Sequence, residues 1–249
     1  MSGHSKWATI KRKKAATDQA RGKLFSKYIK EITIAARHGG GDPEANPRLR
    51  SAVLAAKSVN MPASNIERAI KRGTGEVEGV HYEETQYEGY ATGGVALLVE
   101  VATDNRNRTS GDIRHIFTKY HGAMAEAGSV SYLFKPQGVI SIEKASVSEE
   151  ALIEIVLEAG ADDVHTEGGT YEVLTAPGRF EAVKSALAAR NVPVAGAELT
   201  KVASVQVPVS EKDAEAVIRL VEALEDHDDV QKVYANFVIP DDVLVRLAH

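Results

Sequence analysis

The chain has 249 residues, of which 43% are hydrophobic and 26% charged, and it contains no cysteine. This is the composition of a soluble globular protein, with room for one large domain or two to three small ones. The missing cysteines exclude disulfides, thiol catalysis, iron–sulfur clusters and cysteine-based zinc sites. No run approaches the ~18–20 apolar residues of a membrane-spanning helix, and the basic N-terminus lacks the apolar segment of a secretory signal.

Charge is divided unevenly along the chain. Residues 1–75 hold 16 of the 30 Lys and Arg but only five of the 35 Asp and Glu, whereas residues 76–249 hold 14 and 30 of them. The formal net charge of −5 therefore conceals a basic head and an acidic body. A basic head indicates a polyanion-binding element, with nucleic acid as the expected partner. The acidic body would repel the same polyanion and confine contact to one face.

The arm and the first helix are predicted from the same basic stretch. Residues 1–22 carry almost no large apolar side chain after Ile10, so they cannot bury a core by themselves. We expect a mobile arm there, or a helix that a partner orders. From Leu24 to Ala36 the apolar residues recur at helical spacing, and the glycines at 39–41 are predicted to end that helix.

Two further helices complete a small predicted bundle. Asn46 and Pro47 are typical of a helix start, with the proline in the first turn. Pro62 and a capping-box pattern that begins at Ser64 predict a third start, and Gly73 is expected to end that helix. The basic residues that we place on the outer faces of the bundle are Lys27, Lys30, Arg37, Arg48, Arg50, Lys57, Arg68, Lys71 and Arg72.

Strands and helices alternate after a linker at residues 73–76. Strands are predicted at 95–101, 129–134, 139–142, 162–166, 170–175, 197–202, 204–209 and 230–238, and helices at 110–120, 148–159, 179–190 and 211–225. The element order is βαβ, then βαββαβ, then βαβ. It predicts an α+β fold, in which a helical bundle precedes two α/β domains and the middle block is a complete ferredoxin-like unit.

The two outer βαβ pieces can combine into a second ferredoxin-like unit, so we predict that the middle block is inserted into it. The predicted domains are a basic helical N-terminal domain with its arm at 1–79, a discontinuous α/β domain at 80–134 and 203–240, an inserted α/β domain at 135–202, and a tail at 241–249. Three sequential domains are the alternative. A sheet shared between 95–134 and 204–238 would separate the two models.

The densest cations lie in the arm, which contains the run Lys11, Arg12, Lys13 and Lys14. These cations repel one another, so the fold gains nothing from them unless an anion is present. Each phosphate that they neutralise would release condensed counterions. Trp7 could stack on an exposed base, with a role as a core anchor left open. A solvated tail is the alternative for the whole run.

A second candidate is Thr103–Thr109, between a predicted strand and a predicted helix. Its Asn, Asp and Thr residues suit loop and N-cap positions. The helix N-terminus together with Arg106 and Arg108 could hold a phosphate or a carboxylate. An ordinary capped loop, whose arginines pair with the acidic surface, is the alternative left open at this point.

No metal, cofactor or catalytic site is predicted. The acidic run from Glu222 to Asp229 lacks the spacing of a calcium loop, so a solvated turn is the preferred interpretation. The eight histidines are scattered, and His115 and His121 do not share a helix face. The glycine clusters match neither a phosphate loop nor a dinucleotide fingerprint. Spacing alone identifies no nucleophile with its base.

Eight segments of the chain resemble the YebC/PmpR family, whose mitochondrial relatives are translational activators. They are Gly3–Lys11, Gly39–Arg50, Asn60–Pro62, Asn65–Gly73, Tyr87–Tyr90, Thr103–Thr109, Gly128–Val130 and Val230–Phe237. These segments follow the family in order over nearly the whole chain. The stretch Tyr120–Ala127 departs from the usual Gly- and Asn-richer sequence, which affects one local loop.

The resemblance implies a helical N-terminal domain and two α/β domains around a central cleft. It also implies a cytoplasmic bacterial protein of a family named as DNA-binding transcriptional regulators. Members of this family are further linked to the ribosome, where they help translation of proline-rich stretches. The resemblance therefore supports nucleic-acid binding more firmly than it decides between DNA and RNA.

The leading hypothesis is a cytoplasmic, non-enzymatic regulator that binds promoter DNA. The residues expected to contact the nucleic acid are Lys6, Trp7, Lys11, Arg12, Lys13, Lys14, Arg21, Lys23, Lys27, Arg48, Arg50, Arg68, Lys71 and Arg72. A translation factor that binds ribosomal RNA, and through it the ribosome, is the alternative, because phosphate contacts carry no sequence information. An enzyme that binds an anionic substrate at Arg106 and Arg108 is the third hypothesis. No membrane partner is expected.

Overall fold

Three helices form the basic head of the chain. The computed structural model describes residues 18–238, and its first elements are α1 (Asp18–Gly39), α2 (Pro47–Ser58) and α3 (Ala63–Thr74). They share one apolar core, formed by Ile32, Ala35, Ala36, Leu49, Ala52, Val53, Ala56, Met61, Ile66 and Ala69. Helical spacing of the apolar residues produces this core because it places them on one face of each helix.

Local sequence determines where α2 and α3 begin. Asn46 caps α2, since its side-chain oxygen accepts the N–H of Leu49 at 3.1 Å, and Pro47 occupies the first turn. This start agrees with the prediction. α3 begins after Pro62, whose side chain makes no capping hydrogen bond, so the predicted capping box at Ser64 is not formed.

Gly73 brings α1 and α3 into close contact. The sequence predicts that it ends α3, but the helix continues to Thr74 and Gly75 supplies the left-handed C-cap, with φ +83°. A Cβ at Gly73 would lie 2.5 Å from the carbonyl oxygen of Thr33 and 2.6 Å from the Cβ of Ala36. Glycine is therefore needed here for helix packing rather than for helix termination.

Strands and helices alternate after the head. In chain order they are β1 (Glu83–Tyr90), β2 (Ala96–Thr103), α4 (Arg106–Lys119), β3 (Ala123–Ala125), β4 (Phe134–Glu143), α5 (Glu149–Glu158), β5 (Asp163–Glu167), β6 (Thr170–Thr175), α6 (Phe180–Ala189), β7 (Gly196–Ala203), β8 (Val207–Pro208), α7 (Glu211–Glu225), β9 (Val230–Ala235) and β10 (Phe237–Val238). This mixture of helices and mainly antiparallel sheets confirms the predicted α+β class. No helix within residues 18–238 is long and apolar enough to cross a membrane.

The described residues divide into two compact units. The larger unit comprises residues 18–131 and 209–233, and the smaller unit comprises residues 132–208 and 234–238. The larger unit contains the head and a four-stranded sheet of order β3-β1-β2-β9. β2 is buried along almost its whole length. Ile113 and Phe117 of α4 are fully buried, so this helix contributes to the core of the unit.

The smaller unit contains a sheet of order β5-β6-β4-β7, in which every neighbouring pair is antiparallel. With α5 and α6 in the connections, this is the strand order of a ferredoxin-like βαββαβ unit. Its core consists of Ile140, Ile142, Leu152, Ile155, Val156, Tyr171, Val173, Phe180, Val183, Leu187 and Val192. A short parallel pair, β8 with β10, belongs to the same unit.

The sequence prediction is wrong at residues 129–134, where it places a strand. Residues 131–133 form a 3₁₀ turn instead, and β4 starts at Phe134. The physical reason is Glu88, whose carboxylate accepts the backbone N–H groups of Gly128, Val130 and Ser131 at 2.6–2.9 Å. Because these donors bind a side chain, they are not available to a strand ladder.

β1 is the main element that the sequence prediction omits. Its sequence contains three glutamates, and glutamate is depleted in strands. β1 nevertheless pairs with β2 over its full length, from Glu83 opposite Thr103 to Tyr90 opposite Ala96. Pairing with a buried neighbour overrides the local preference.

Domain boundaries at 80–134, 135–202 and 203–240 stay a prediction. β9 lies in one sheet with β1, β2 and β3, and β4–β7 form a separate four-stranded sheet. The larger compact unit includes the head as well as the first of these sheets. The predicted tail at 241–249 lies outside the described residues.

Candidate nucleic-acid interface

The predicted contacts of the arm lie outside the described residues. They are Lys6, Trp7, Lys11, Arg12, Lys13 and Lys14. Arg21 lies on α1. The other predicted cations belong to the larger unit, where their surroundings separate those paired with acidic groups from those that are not.

One face of α1 contacts an acidic turn, residues 225–229, at the end of α7. The ammonium of Lys23 lies 2.7 Å from the carboxylate of Asp226, and that of Lys27 donates to the carbonyl oxygen of Glu225 at 2.6 Å. The last carbonyls of α7 lack helical partners, and cations near a helix C-terminus are stabilising. These two lysines, predicted to bind phosphate, are therefore engaged within the larger unit.

Asp229 is the buried centre of this contact. Its carboxylate accepts hydrogen bonds from Lys30 and Thr109, both at 2.6 Å, and from Arg108 at 2.9 Å and Thr103 at 3.2 Å. Burial acts to raise the pKa of Asp229, but the hydrogen bonds, led by that of Lys30, outweigh it and hold the pKa well below its ordinary value. The charged carboxylate thus connects α1, β2 and α4.

Two predictions are wrong at this point. Lys30 is not on an outer face of the bundle, and Asp229 does not belong to a solvated turn, because both are buried. The ammonium of Lys30 also donates to the carbonyl oxygens of Ala102 and Asp228, and it lies 5.4 Å from the ring centroid of Tyr82. A buried charge is tolerated when it is paired and hydrogen-bonded in this way.

The segment Thr103–Thr109 forms a capped loop. Asn105 is the N-cap of α4 and accepts the N–H of Arg108 at 3.1 Å. The guanidinium of Arg108 bonds to the carboxylates of Asp104 at 2.7 Å and Asp229 at 2.9 Å. The hydrogen bond to Asp229, with that to Asp104, raises the pKa of Arg108. The alternative in which the arginine pairs with acidic groups therefore describes Arg108.

Two arginines of α2 are also paired with carboxylates. Arg48 bridges Glu31 of α1 at 2.8 Å and Glu84 of β1 at 2.6 Å, and the bond to Glu84 is the main cause of its raised pKa. In return, the Arg48 hydrogen bond lowers the pKa of Glu84. Arg50 donates to the carbonyl oxygen of Glu44 at 3.3 Å and lies 3.8 Å from its carboxylate.

A cationic surface without such pairing lies on α3. Arg68, Lys71 and Arg72, here called the α3 basic face, are spaced i, i+3 and i+4 and so share one side of the helix. No carboxylate within residues 18–238 forms an ion pair with them. Arg68 and Lys71 are exposed, whereas Arg72 is half-buried. Arg106 is similarly exposed, with a long hydrogen bond of 3.4 Å to the hydroxyl of Thr85.

An open pocket of about 380 Å³ lies between the end of α1 and the start of β1. The residues that line this tyrosine pocket are Arg37, His38, His81, Tyr82, Glu83 and Glu84. The guanidinium of Arg37 lies 2.8 Å from Nδ1 of His81. Because a guanidinium only donates, Nδ1 accepts and Nε2 of this imidazole carries the proton.

The segment that leads to the tyrosine pocket passes along Arg72 of the α3 basic face. A Cβ at Gly79 would lie 3.1 Å from Cγ of Arg72, so the segment before β1 passes along this side chain. Burial and then the charge of Asp104 raise the pKa of Tyr82, and the charge of Arg72 acts in the opposite direction. Nε of Arg72 is buried and has no hydrogen-bond partner among the described residues.

Sequence reasoning missed the tyrosine pocket. Arg37 and His81 are 44 positions apart, and neither lies in a recognisable motif. The only local signal is the sequence of two basic residues, Arg37 and His38, at the end of α1. No group of three or more acidic or histidine side chains that could hold a metal ion is found over residues 18–238.

Two family models together match nearly the whole chain. The model described as the TACO1/YebC protein N-terminal domain matches residues 5–76, and the model described as the TACO1/YebC second and third domain matches residues 82–237. The chain belongs to the TACO1/YebC family. The resemblance found in the sequence motifs is thereby confirmed.

TACO1/YebC relatives align with this chain over their full length. A probable transcriptional regulatory protein of Dictyoglomus thermophilum is 57% identical over 249 residues, which is 100% of both chains. A probable transcriptional regulatory protein of Desulfatibacillum aliphaticivorans is 55% identical over 244 residues, 98% of this chain and 99% of its own length. The crystal structure of a conserved hypothetical protein from Aquifex aeolicus has a TM-score of 0.80 at 50% identity, covering 91% of this chain and 94% of that one.

Proposed function

We propose that this TACO1/YebC protein is a non-enzymatic, cytoplasmic regulator that binds nucleic acid through the α3 basic face and the arm. The observation that carries the proposal is that no residue of the α3 basic face has a carboxylate partner within residues 18–238, whereas Lys23, Lys30 and Arg48 are paired with carboxylates. Neighbouring cations without counter-charges repel one another, so an anionic ligand would stabilise them.

Promoter DNA is the leading ligand. Relatives more than half identical to this chain are named probable transcriptional regulatory proteins, and the family motifs point the same way. Arginine and lysine contacts to phosphate provide affinity and orientation without reading sequence. The arm, with Lys6 and the run from Lys11 to Lys14, would add further phosphate contacts.

A ribosome-associated translation factor is the second candidate. It would bind ribosomal RNA and relieve stalling at proline-rich stretches. The observation that favours it is the tyrosine pocket, because sequence-tolerant RNA binding uses aromatic rings next to cations to hold unpaired bases. The same basic face would serve either ligand.

The enzyme hypothesis receives less support. Arg108, one of the two arginines proposed to hold an anionic substrate, is bound to two carboxylates. A substrate carboxylate would have to displace them. We therefore propose no catalytic role for Arg106 or Arg108.

A salt titration tests the proposed interface. Fluorescence anisotropy with labelled duplex DNA gives log K against log salt, and each lost phosphate contact should flatten that slope by about 0.9. We expect Arg68→Ala with Lys71→Ala to flatten it by about 1.8 in total. Arg219→Ala is the matched control, because this exposed arginine of α7 pairs with Glu215 outside the proposed face. An unchanged slope in the double variant would refute the assignment of the α3 basic face.

Crosslinking in cells decides between the two ligands. The bound nucleic acid is divided into DNase-sensitive and RNase-sensitive fractions and sequenced. Discrete promoter fragments would support transcriptional control. Ribosomal RNA crosslinked at one locus would instead support the translation factor.

A further inference from the structure

The tyrosine pocket combines features that suit one nucleotide. Its volume of about 380 Å³ falls within the roughly 300–1,000 Å³ of pockets that hold small organic ligands. An aromatic ring, that of Tyr82, and a guanidinium group, that of Arg37, both line it. Rings stack on bases and guanidinium groups bind phosphate, so the pocket offers both halves of nucleotide recognition.

Polar groups at the pocket are mainly donors. Arg37 uses one nitrogen for His81 and can direct its other N–H groups outward, and His81 presents a protonated Nε2. The unpartnered Nε of Arg72 is a further donor in this region. A buried donor without a partner is costly, and a ligand oxygen within reach would remove that cost.

The acidic residues of the pocket weigh against a phosphate, but one of them is neutralised. Glu84 forms an ion pair with Arg48 at 2.6 Å, and His38 lies 4.0 Å from the same carboxylate. Glu83 is the other carboxylate. Arg37 offsets its charge, so the lining leaves neither carboxylate without a cation.

We propose that the tyrosine pocket binds one unstacked nucleotide of a single-stranded nucleic acid, with the base on Tyr82 and its phosphate on Arg37. This rests on the second candidate function, the binding of RNA, because the α3 basic face would hold the phosphates next to that nucleotide. Bases of a duplex are stacked on one another and cannot reach the ring. The pocket thus discriminates single strands from duplex DNA, which phosphate contacts alone do not.

Fluorescence anisotropy with three labelled probes tests this inference. The probes are a 20-nucleotide RNA of mixed sequence, the DNA strand of the same sequence, and that DNA strand in a duplex. We expect the wild type to bind the two single strands more tightly than the duplex. Tyr82→Leu should weaken binding of the single strands by about 5- to 100-fold, the range given by the loss of one stacked base, and leave duplex binding unchanged.

Control variants separate stacking from general effects. Tyr132→Leu removes a ring that is 70% exposed and lies in the smaller unit, so it should leave all three affinities unchanged. Tyr82→Phe keeps the ring and should bind single strands like the wild type. If Tyr82→Leu does not fold, as judged by circular dichroism, Arg37→Ala replaces it and should weaken the binding of single strands more than that of the duplex, because it removes the proposed phosphate contact in the pocket.

The outcomes distinguish this inference from the proposed function. The nucleotide pocket is overturned if Tyr82→Leu weakens binding of single strands and duplex equally, or if it leaves the affinity for single strands unchanged. If Arg68→Ala with Lys71→Ala still weakens all probes in that case, the proposed basic face stands without the pocket. A wild type that binds none of the probes at low salt overturns both.

Discussion

Asp229→Asn should destabilise the larger unit far more than the same change at its neighbour. The carboxylate of Asp229 accepts hydrogen bonds from Lys30, Thr109, Arg108 and Thr103, and it is buried. An amide of the same shape removes the negative charge and presents an NH₂ group to a site built of donors. The lysine is then left as a buried cation without its counter-charge.

The magnitude follows from the surroundings of each partner. Removing one partner from a buried ion pair costs about 3–5 kcal/mol. Lys30 keeps two acceptors, the carbonyl oxygens of Ala102 and Asp228, which places the cost at the lower end. The Arg108 side chain is 48% exposed, so its pairing adds only about 0.2–1 kcal/mol. We expect Asp229→Asn to lower the free energy of unfolding by about 3 kcal/mol.

Urea unfolding followed by circular dichroism measures the change. Hydrogen exchange of peptides from α1 and β9 assigns the transition to the larger unit. Asp228→Asn is the matched control, because the Asp228 side chain is exposed and only its backbone carbonyl binds Lys30, and it should change stability by less than about 0.5 kcal/mol. Similar values for the two variants would refute the central role of Asp229.

Two other predictions concern helix packing and acid stability. Gly73→Ala should destabilise the head by about 1–3 kcal/mol, because its Cβ would lie 2.5 Å from a carbonyl oxygen of α1. Gly111→Ala is the control: this position in α4 has open space around it, so the variant should be more stable than the wild type by about 0.5–1 kcal/mol. Thermal melts that show the same change for both variants would contradict the packing argument. Because the folded pKa of Asp229 is lowered, its stabilising effect is present above the unfolded pKa of about 3.9 and is lost as the pH falls through the folded value. The stability difference between wild type and Asp229→Asn should therefore shrink below about pH 4, and a difference independent of pH would contradict this assignment.

Local sequence predicted most helices because their signals are local. Asn46 and Pro47 mark the start of α2 by capping and fixed backbone geometry, and the apolar spacing of α1 matches its buried face. β1 was missed because its glutamates disfavour a strand in isolation, and only pairing with β2 explains it. The strand predicted at 129–134 failed because Glu88, some 40 positions earlier, takes the backbone donors of that segment.

At the candidate site, the difference between what local sequence predicts and what distant contacts decide is larger than in the fold. The charge count predicted a basic head, but it treated Lys30 and Arg72 as equivalent surface cations. Lys30 is buried against Asp229, 199 positions away, whereas Arg72 lies along the segment before β1 and has no carboxylate partner within the described residues. Pairing between distant charges depends on which helix faces meet, and a charge count contains no such information.

The sequence by itself determined the family, the α+β class and the basic character of the head, because motifs, periodicity and composition are properties of the chain order. Tertiary structure alone decided which cations face acidic groups of the same unit and which remain on the α3 basic face. It also brought Arg37 and Tyr82 to one pocket from separate elements. The physical reason is that Coulomb and hydrogen-bond energies depend on distances in space, which are fixed only when α1, α3 and β1 pack together.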